Sequence, residues 1–356
     1  MTSTIKYVGM DVHKQSISIA MRNATGKIVM ECVIETKAST VLQFFDGLRG
    51  DVQVTFEEGT WAAWLYDLLK PHVAKLVVCD PRRNALLQDG NQNDRVDARK
   101  LSDLLFMNKL NPVYHGDHGL RTLKELGRSY LTITRDQSRV MSRIKAIYRS
   151  WAIPCSGKQV YGARHRAEWL GKIQEPGVHR RAELYYRQLD ALRALRQEVR
   201  RDLLVESKKH KVWKRLCAIP SMGPIRAAEL LGILQTPHRF RTKRQLWTYC
   251  GLGVVTSSSA DHEVANGQLR RRKKHVQIRG LNENCNHDLK NLFKGAAVVA
   301  SIKPGPLAEF YAALVAKGMR PEMARLTLAR KIATIVLIVW KRGVCFDAQY
   351  LKSQTA

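Results

Sequence analysis

The order in which strand-like and helix-like stretches follow one another over the first hundred residues constrains this chain more than any single motif does. Residues 7–12 (Tyr-Val-Gly-Met-Asp-Val) read as a buried strand, and residues 16–21 alternate like a second. Asn23-Ala24-Thr25-Gly26 is a turn into a third strand at 28–34, which completes a three-stranded meander. Ser39 can cap a helix reaching Leu48, residues 52–56 make a fourth strand, 61–70 another helix and 75–79 a fifth strand, with a further helix opening near Asp94. The order β-β-β-α-β-α-β-α predicts an α/β domain.

Beyond that domain the character changes. From 121 to 213 the chain is helical, charged and poor in glycine, and Tyr185, Leu189, Leu192, Leu195, Val199 and Leu203 recur every three to four residues with Arg and Glu between them. That spacing predicts a long helix or helical hairpin, a coiled-coil arm serving as spacer or dimerising element. The stretch from Leu216 to Leu231 then reads as helix, tight glycine turn and helix. At 356 residues the chain exceeds a single core. Three segments are expected: 1–120, 121–213 and a mainly helical 214–356.

The charge narrows the partners. Sixty Lys and Arg stand against 31 Asp and Glu, a net +29, which implies a polyanion, with nucleic acid far ahead of an acidic membrane surface. The longest apolar run, 332–340, is less than half of the about 20 residues that span a bilayer, so no membrane span is expected. Residues 1–10 lack the apolar core of a signal peptide, and a cytoplasmic protein is expected. The seven cysteines show no Cys-x-x-Cys spacing, which fits reduced thiols; Cys285 and His287 read as packing residues.

Four acids in the first domain fall where strand ends would gather them: Asp11 in the first strand, Glu57 at the end of the fourth, and Asp94 with Asp97 opening the helix after the fifth. Aspartates three apart share a helix face, so Asp94 and Asp97 can point into one cleft. Taken singly, acids at strand ends and helix starts are common caps. Asp11 is different, because an ionisable group inside an apolar strand is costly unless paired or bound to metal. Carboxylates so gathered repel unless Mg²⁺ sits among them, and Mg²⁺ holds a phosphodiester by its non-bridging oxygens. Glu58 lies beside Glu57 on the opposite strand face, and Glu57 is preferred.

These residues carry a resemblance. The element order is that of ribonuclease-H-like domains. Gly9-Met10-Asp11-Val12-His13-Lys14, Phe56-Glu57-Glu58-Gly59-Thr60 and Asn93-Asp94-Arg95-Val96-Asp97 resemble, in order and spacing, the DEDD motifs of the insertion-sequence transposases of family one-ten. Ile219-Pro220-Ser221-Met222-Gly223-Pro224 is similar to the family's helix-hairpin-helix-like turn, Tyr249-Cys250-Gly251-Leu252 to its Ala-Gly-Leu segment, and Gly280-Leu281-Asn282-Glu283-Asn284 to the segment after its active serine. The sequence departs from the family where Glu-Glu-Gly-Thr stands for Glu-Ala-Thr-Gly and Gln-Asn-Asp for Lys-Thr-Asp, which leaves Glu57 and Glu58 both open.

The resemblance implies a RuvC-like N-terminal domain, a C-terminal transposase domain and a DNA recombinase that works through a phosphoserine intermediate. Counting from Gly251 sets Ser259 as nucleophile, with Ser258 second. It further implies a noncoding bridge RNA that pairs with donor and target DNA. Cutting several strands requires several active sites, so a dimer or tetramer is expected, with serine and carboxylates from one subunit or from different ones. Arg270, Arg271, Arg272, Lys273 and Lys274 are a basic run able to neutralise backbone phosphates. The turn at 219–224 reads equally as a phosphate contact and as a plain connection between packed helices. Two other functions fit the same residues: a metal-dependent junction-resolving nuclease in which the serine is a bystander, and a non-catalytic nucleic-acid-binding protein.

Overall fold

Five strands hydrogen-bond into one mixed sheet at the start of the chain, in a computed structural model that describes residues 4–81, 93–116, 120–257, 262–265, 268–271, 277–348 and 351. They are β1 (Lys6–Val12), β2 (Ser16–Arg22), β3 (Ile28–Glu35), β4 (Val52–Glu57) and β5 (Lys75–Cys79), in the order β3-β2-β1-β4-β5. Short turns make β1, β2 and β3 antiparallel neighbours, whereas β4 and β5 run parallel to β1. Parallel neighbours need crossovers, which α1 (Ala38–Asp46) and α2 (Ala62–Leu69) supply.

Alternation along the strands assigns the two faces. Val8, Met10, Ile17, Ile19, Val54 and Phe56 pack with Val41 and Phe45 of α1 and Leu65 and Leu69 of α2 in one core. The opposite face carries a row in which Glu31, Ala20, Gly9 and Thr55 stand in register across four strands. Ala20, Gly9 and Thr55 are small and buried, and α3 (Asp94–Phe106) lies over β1 and β2 there. A Cβ at Gly9 would collide with the Ser102 backbone nitrogen and the Ala98 carbonyl, so only glycine lets α3 come this close. Leu101, Leu104 and Leu105 are buried, each contributing about 1.5–3 kcal/mol of apolar burial.

The chain divides into two compact units, Met1–His115 and Gly116–Ala356. In the second, α4 (Arg121–Ser150) and α6 (Pro176–Lys208) form an antiparallel hairpin, with α5 (Arg166–Gly171) between them in sequence. Tyr148 meets Tyr186, and Arg196 reaches Tyr130 and Thr134. One end of the hairpin has its own core, built from Val140, Ile144, Tyr148, Val160, Trp169, Tyr186 and Leu189. At the other end Leu123, Tyr130, Val199 and Leu203 join a larger core with α7 (Lys211–Cys217), α8 (Gly223–Leu234) and α9 (Lys243–Tyr249). The helix faces differ in part from the expected seam: Tyr186 fills the distal core with Tyr185 packed against it, and Leu195 is 48% exposed.

Among the described residues between α9 and the last helices lie four short strands, β6 (Val254–Ser257), β7 (His262–Ala265), β8 (Gln268–Arg271) and β9 (Gln277–Leu281), pairing β6 with β9 and β7 with β8. Then come α10 (His287–Ile302), α11 (Pro306–Ala316) and the largely buried α12 (Pro321–Arg342). No single helix among the described residues is long and apolar enough to cross a membrane.

Candidate functional site

Asp11 stands one residue from the end of β1, on the face that α3 covers. Because Met10 pairs with Phe56, Glu57 at the end of β4 stands next in line beside Asp11 on that same face. Asn93 caps α3 by accepting a hydrogen bond from the Val96 N–H at 2.8 Å, which places Asp94 and Asp97 in the first turn, where the helix dipole favours carboxylates. The close seat at Gly9 therefore brings the start of α3 to the end of β1.

The acids do not stand alone. His13 follows β1, its backbone N–H donating to the Ser16 carbonyl at 2.9 Å and its carbonyl accepting from the Thr36 hydroxyl at 2.8 Å. Its Nε2 is 3.0 Å from Asp11 Oδ2 and 3.4 Å from Asp94 Oδ1. Burial pushes the Asp11 carboxyl above its ordinary value, the hydrogen bond to His13 opposes this, and the charges of Asp94 and Asp97 add to the rise. The hydrogen bond to Asp11 raises the His13 imidazole in turn. Asp97 Oδ1 is buried without a hydrogen-bond partner and lies 3.7 Å from Lys100 Nζ. Hard oxygen donors, one of them buried without a hydrogen bond, and an adjacent imidazole form a set that fits a divalent cation. Among the described residues, ligand atoms of Asp11, His13 and Asp94 all lie within 4.8 Å of one another.

Glu58 is engaged elsewhere. Its Oε2 is 2.7 Å from Nε2 of His115, whose ring stacks on Tyr66, and its backbone N–H donates to the Cys79 carbonyl. Two features receive no role from the sequence. The imidazole of His13 is one: it lies inside the Gly9–Lys14 motif, and its signal is the spacing of two from Asp11 at a strand exit. The other is Glu31 of β3, which binds Arg99 and, at 2.6 Å, Arg95 of α3; these arginines hold its carboxyl down at about 2.

In the second unit the two segments that flank the expected nucleophile come together. The Asn282 N–H donates to the Gly253 carbonyl at 2.9 Å, Asn282 Nδ2 donates to the Thr248 carbonyl at 3.1 Å, and the Asn286 N–H donates to the Tyr249 carbonyl at 2.8 Å. Arg330 of α12 donates through Nε to the Leu252 carbonyl at 2.7 Å. The base of the β6 and β9 pair is thus tied to α9 and α12. Ser258 and Ser259, like Arg272, Lys273 and Lys274, lie outside the described residues. Arg270 is exposed on β8, where its backbone is paired with Glu263, and the backbone of Arg271 is paired with His262. In the turn at 219–224, Ile219 and Met222 are buried in the core and Arg226 Nη1 donates to the Ser221 carbonyl at 2.8 Å.

Comparison with known families covers both units. A transposase model of the DEDD type, named for IS110, matches residues 8–150, and the model described as Transposase IS116/IS110/IS902 family matches residues 213–281. No curated protein matches the chain. The first match spans the sheet, α3 and α4, and the second runs from α7 to the end of β9, together more than half of the 356 residues. Both families are transposases, which cut and rejoin DNA, and the DEDD type depends on a divalent metal, for which the Asp11 end of the sheet has the donors. With both transposase models matched in one chain, the protein belongs to the IS110 family of transposases.

Proposed function

We propose that this transposase cuts and rejoins donor and target DNA through a phosphoserine intermediate, with Ser259 as nucleophile and Asp11, Glu57, Asp94 and Asp97 holding Mg²⁺. The observation that carries the reading is the convergence of Asp11, from the middle strand, with the first turn of α3. The strand order β3-β2-β1-β4-β5 supports a RuvC-like domain over residues 1–120, followed by an arm at 121–213 and a serine-bearing domain at 214–356. The His115 partner of Glu58 favours Glu57 as the second acid.

When bound, the cation withdraws charge from the phosphate oxygens and orients the phosphorus for in-line attack. Ser259 gives up its proton as its Oγ bonds to phosphorus; the bond to the 3′ oxygen breaks and that oxygen takes a proton, leaving a free 3′-hydroxyl. The serine-phosphate bond keeps the energy of the broken linkage, so rejoining needs no nucleotide cofactor, and the chain has no Gly-x-x-x-x-Gly-Lys-Ser/Thr loop. Arg270, Arg271, Arg272, Lys273 and Lys274 neutralise backbone phosphates. A bridge RNA pairs with donor and target, so that base pairing rather than protein contacts selects sequence. Several strands are cut in one event, which calls for a dimer or tetramer.

The test is a denaturing assay of protein, cognate DNA, bridge RNA and Mg²⁺. A protein–DNA adduct is expected, lost in Ser259→Ala; Asp11→Asn is expected to lose cleavage and keep its DNA affinity. Cleavage without adduct would make the protein a nuclease, and neither product would leave only binding.

A further inference from the structure

The donor set around Asp11 is not all oxygen. We infer that His13 is itself a ligand of the divalent cation, and that its nitrogen makes this site bind Mn²⁺ more tightly than Mg²⁺. The inference deepens the metal reading proposed above and rests on it. The spacing carries it: His13 Nε2 is 3.0 Å from Asp11 Oδ2 and 3.4 Å from Asp94 Oδ1, and the three ligand atoms fall within 4.8 Å. An octahedral ion bonded at about 2.1 Å has neighbouring ligands roughly 3 Å apart and opposite ligands roughly 4.2 Å apart. The imidazole thus already stands where a neighbouring ligand of the two aspartates would stand.

The local structure is consistent with a fixed ligand. The His13 backbone is pinned by Ser16 on one side and Thr36 on the other, and α3 is held over the sheet at Gly9 and by Arg95 and Arg99 on Glu31. The ring itself is 52% exposed, so it can turn by small amounts without repacking any neighbour. A site of carboxylates and water suits Mg²⁺, which demands oxygen and gives up its waters reluctantly. Among first-row transition ions Mn²⁺ shares with Mg²⁺ the preference for carboxylate and water, and its divalent affinity for nitrogen donors exceeds that of Mg²⁺.

The experiment uses the full-length chain and Mn²⁺ alone, with free Mn²⁺ read by electron paramagnetic resonance and the bound ion by electron spin echo modulation. Nitrogen modulation from one imidazole is expected in the wild type. In His13→Gln it should vanish, with Mn²⁺ affinity falling about tenfold or more and the affinity for Mg²⁺, read by competition, changing much less. Bound Mn²⁺ that is lost in Asp11→Asn but shows no nitrogen coupling overturns the role of His13 and leaves the metal reading standing. So does nitrogen coupling that persists in His13→Gln. If the wild type binds no more Mn²⁺ than Asp11→Asn does, both fall together.

Discussion

Gly9 acts through the side chain it lacks. Its missing Cβ is the space into which the backbone of α3 fits at Ala98 and Ser102, and that fit sets where Asp94 and Asp97 stand relative to Asp11. Gly9→Ala must therefore lift α3 off the sheet. A thermal melt is expected to show a loss of about 1–3 kcal/mol, and Mn²⁺ titration a weakened site. Gly127 makes the contrast, for a Cβ there meets nothing within 4 Å and it lies within α4; Gly127→Ala should stabilise by about 0.5–1 kcal/mol. At this scale Asp11 is legible in the sequence because a charge within an apolar strand is conspicuous, and Asp94 with Asp97 because their spacing puts them on one face. His13 is not, since one imidazole at a strand exit is an ordinary surface residue until the start of α3 is known to reach it. Glu31 is hidden for another reason: its partners Arg95 and Arg99 lie 64 and 68 residues away in sequence.

Among elements, the hairpin of α4 and α6 shows what a periodic pattern specifies and what it leaves open. The recurrence of apolar residues announces helices; which stripe faces inward depends on the partner helix, so Tyr186 is buried while Leu195 is exposed. The five strands of the sheet are legible because alternation and turn residues are local, but the register that aligns Glu57 with Asp11 is a property of strand pairing. In the distal core the Tyr186 hydroxyl donates to the Val160 carbonyl at 2.8 Å, which uses its single hydrogen. Tyr148, 3.0 Å away, must then donate to Tyr186. Burial raises both phenols above their usual range. Tyr186→Phe strands the buried Val160 carbonyl and the Tyr148 hydroxyl, an expected cost of about 1–3 kcal/mol. Tyr148→Phe removes one donor and leaves the carbonyl bond in place, so denaturant melts should show the smaller loss; equal losses would mean that the hydroxyl order is reversed.

For the whole molecule, the excess of 29 positive charges predicts binding that weakens steeply with salt. Arg270→Gln and Arg271→Gln should each lower the slope of log affinity against log salt by about one unit if each neutralises a phosphate. A slope that does not move places β8 away from the nucleic acid. The separation of the hairpin into two cores has a further consequence. Arg196 sits at the junction, bonded to Tyr130 and Thr134, with one core on either side. Adding matched stretches of seven residues between the two cores in α4 and α6 would move the far end by about 10 Å while keeping the residues of both cores. The hairpin is thus built so that its span could change while the packing at its two ends stays as it is.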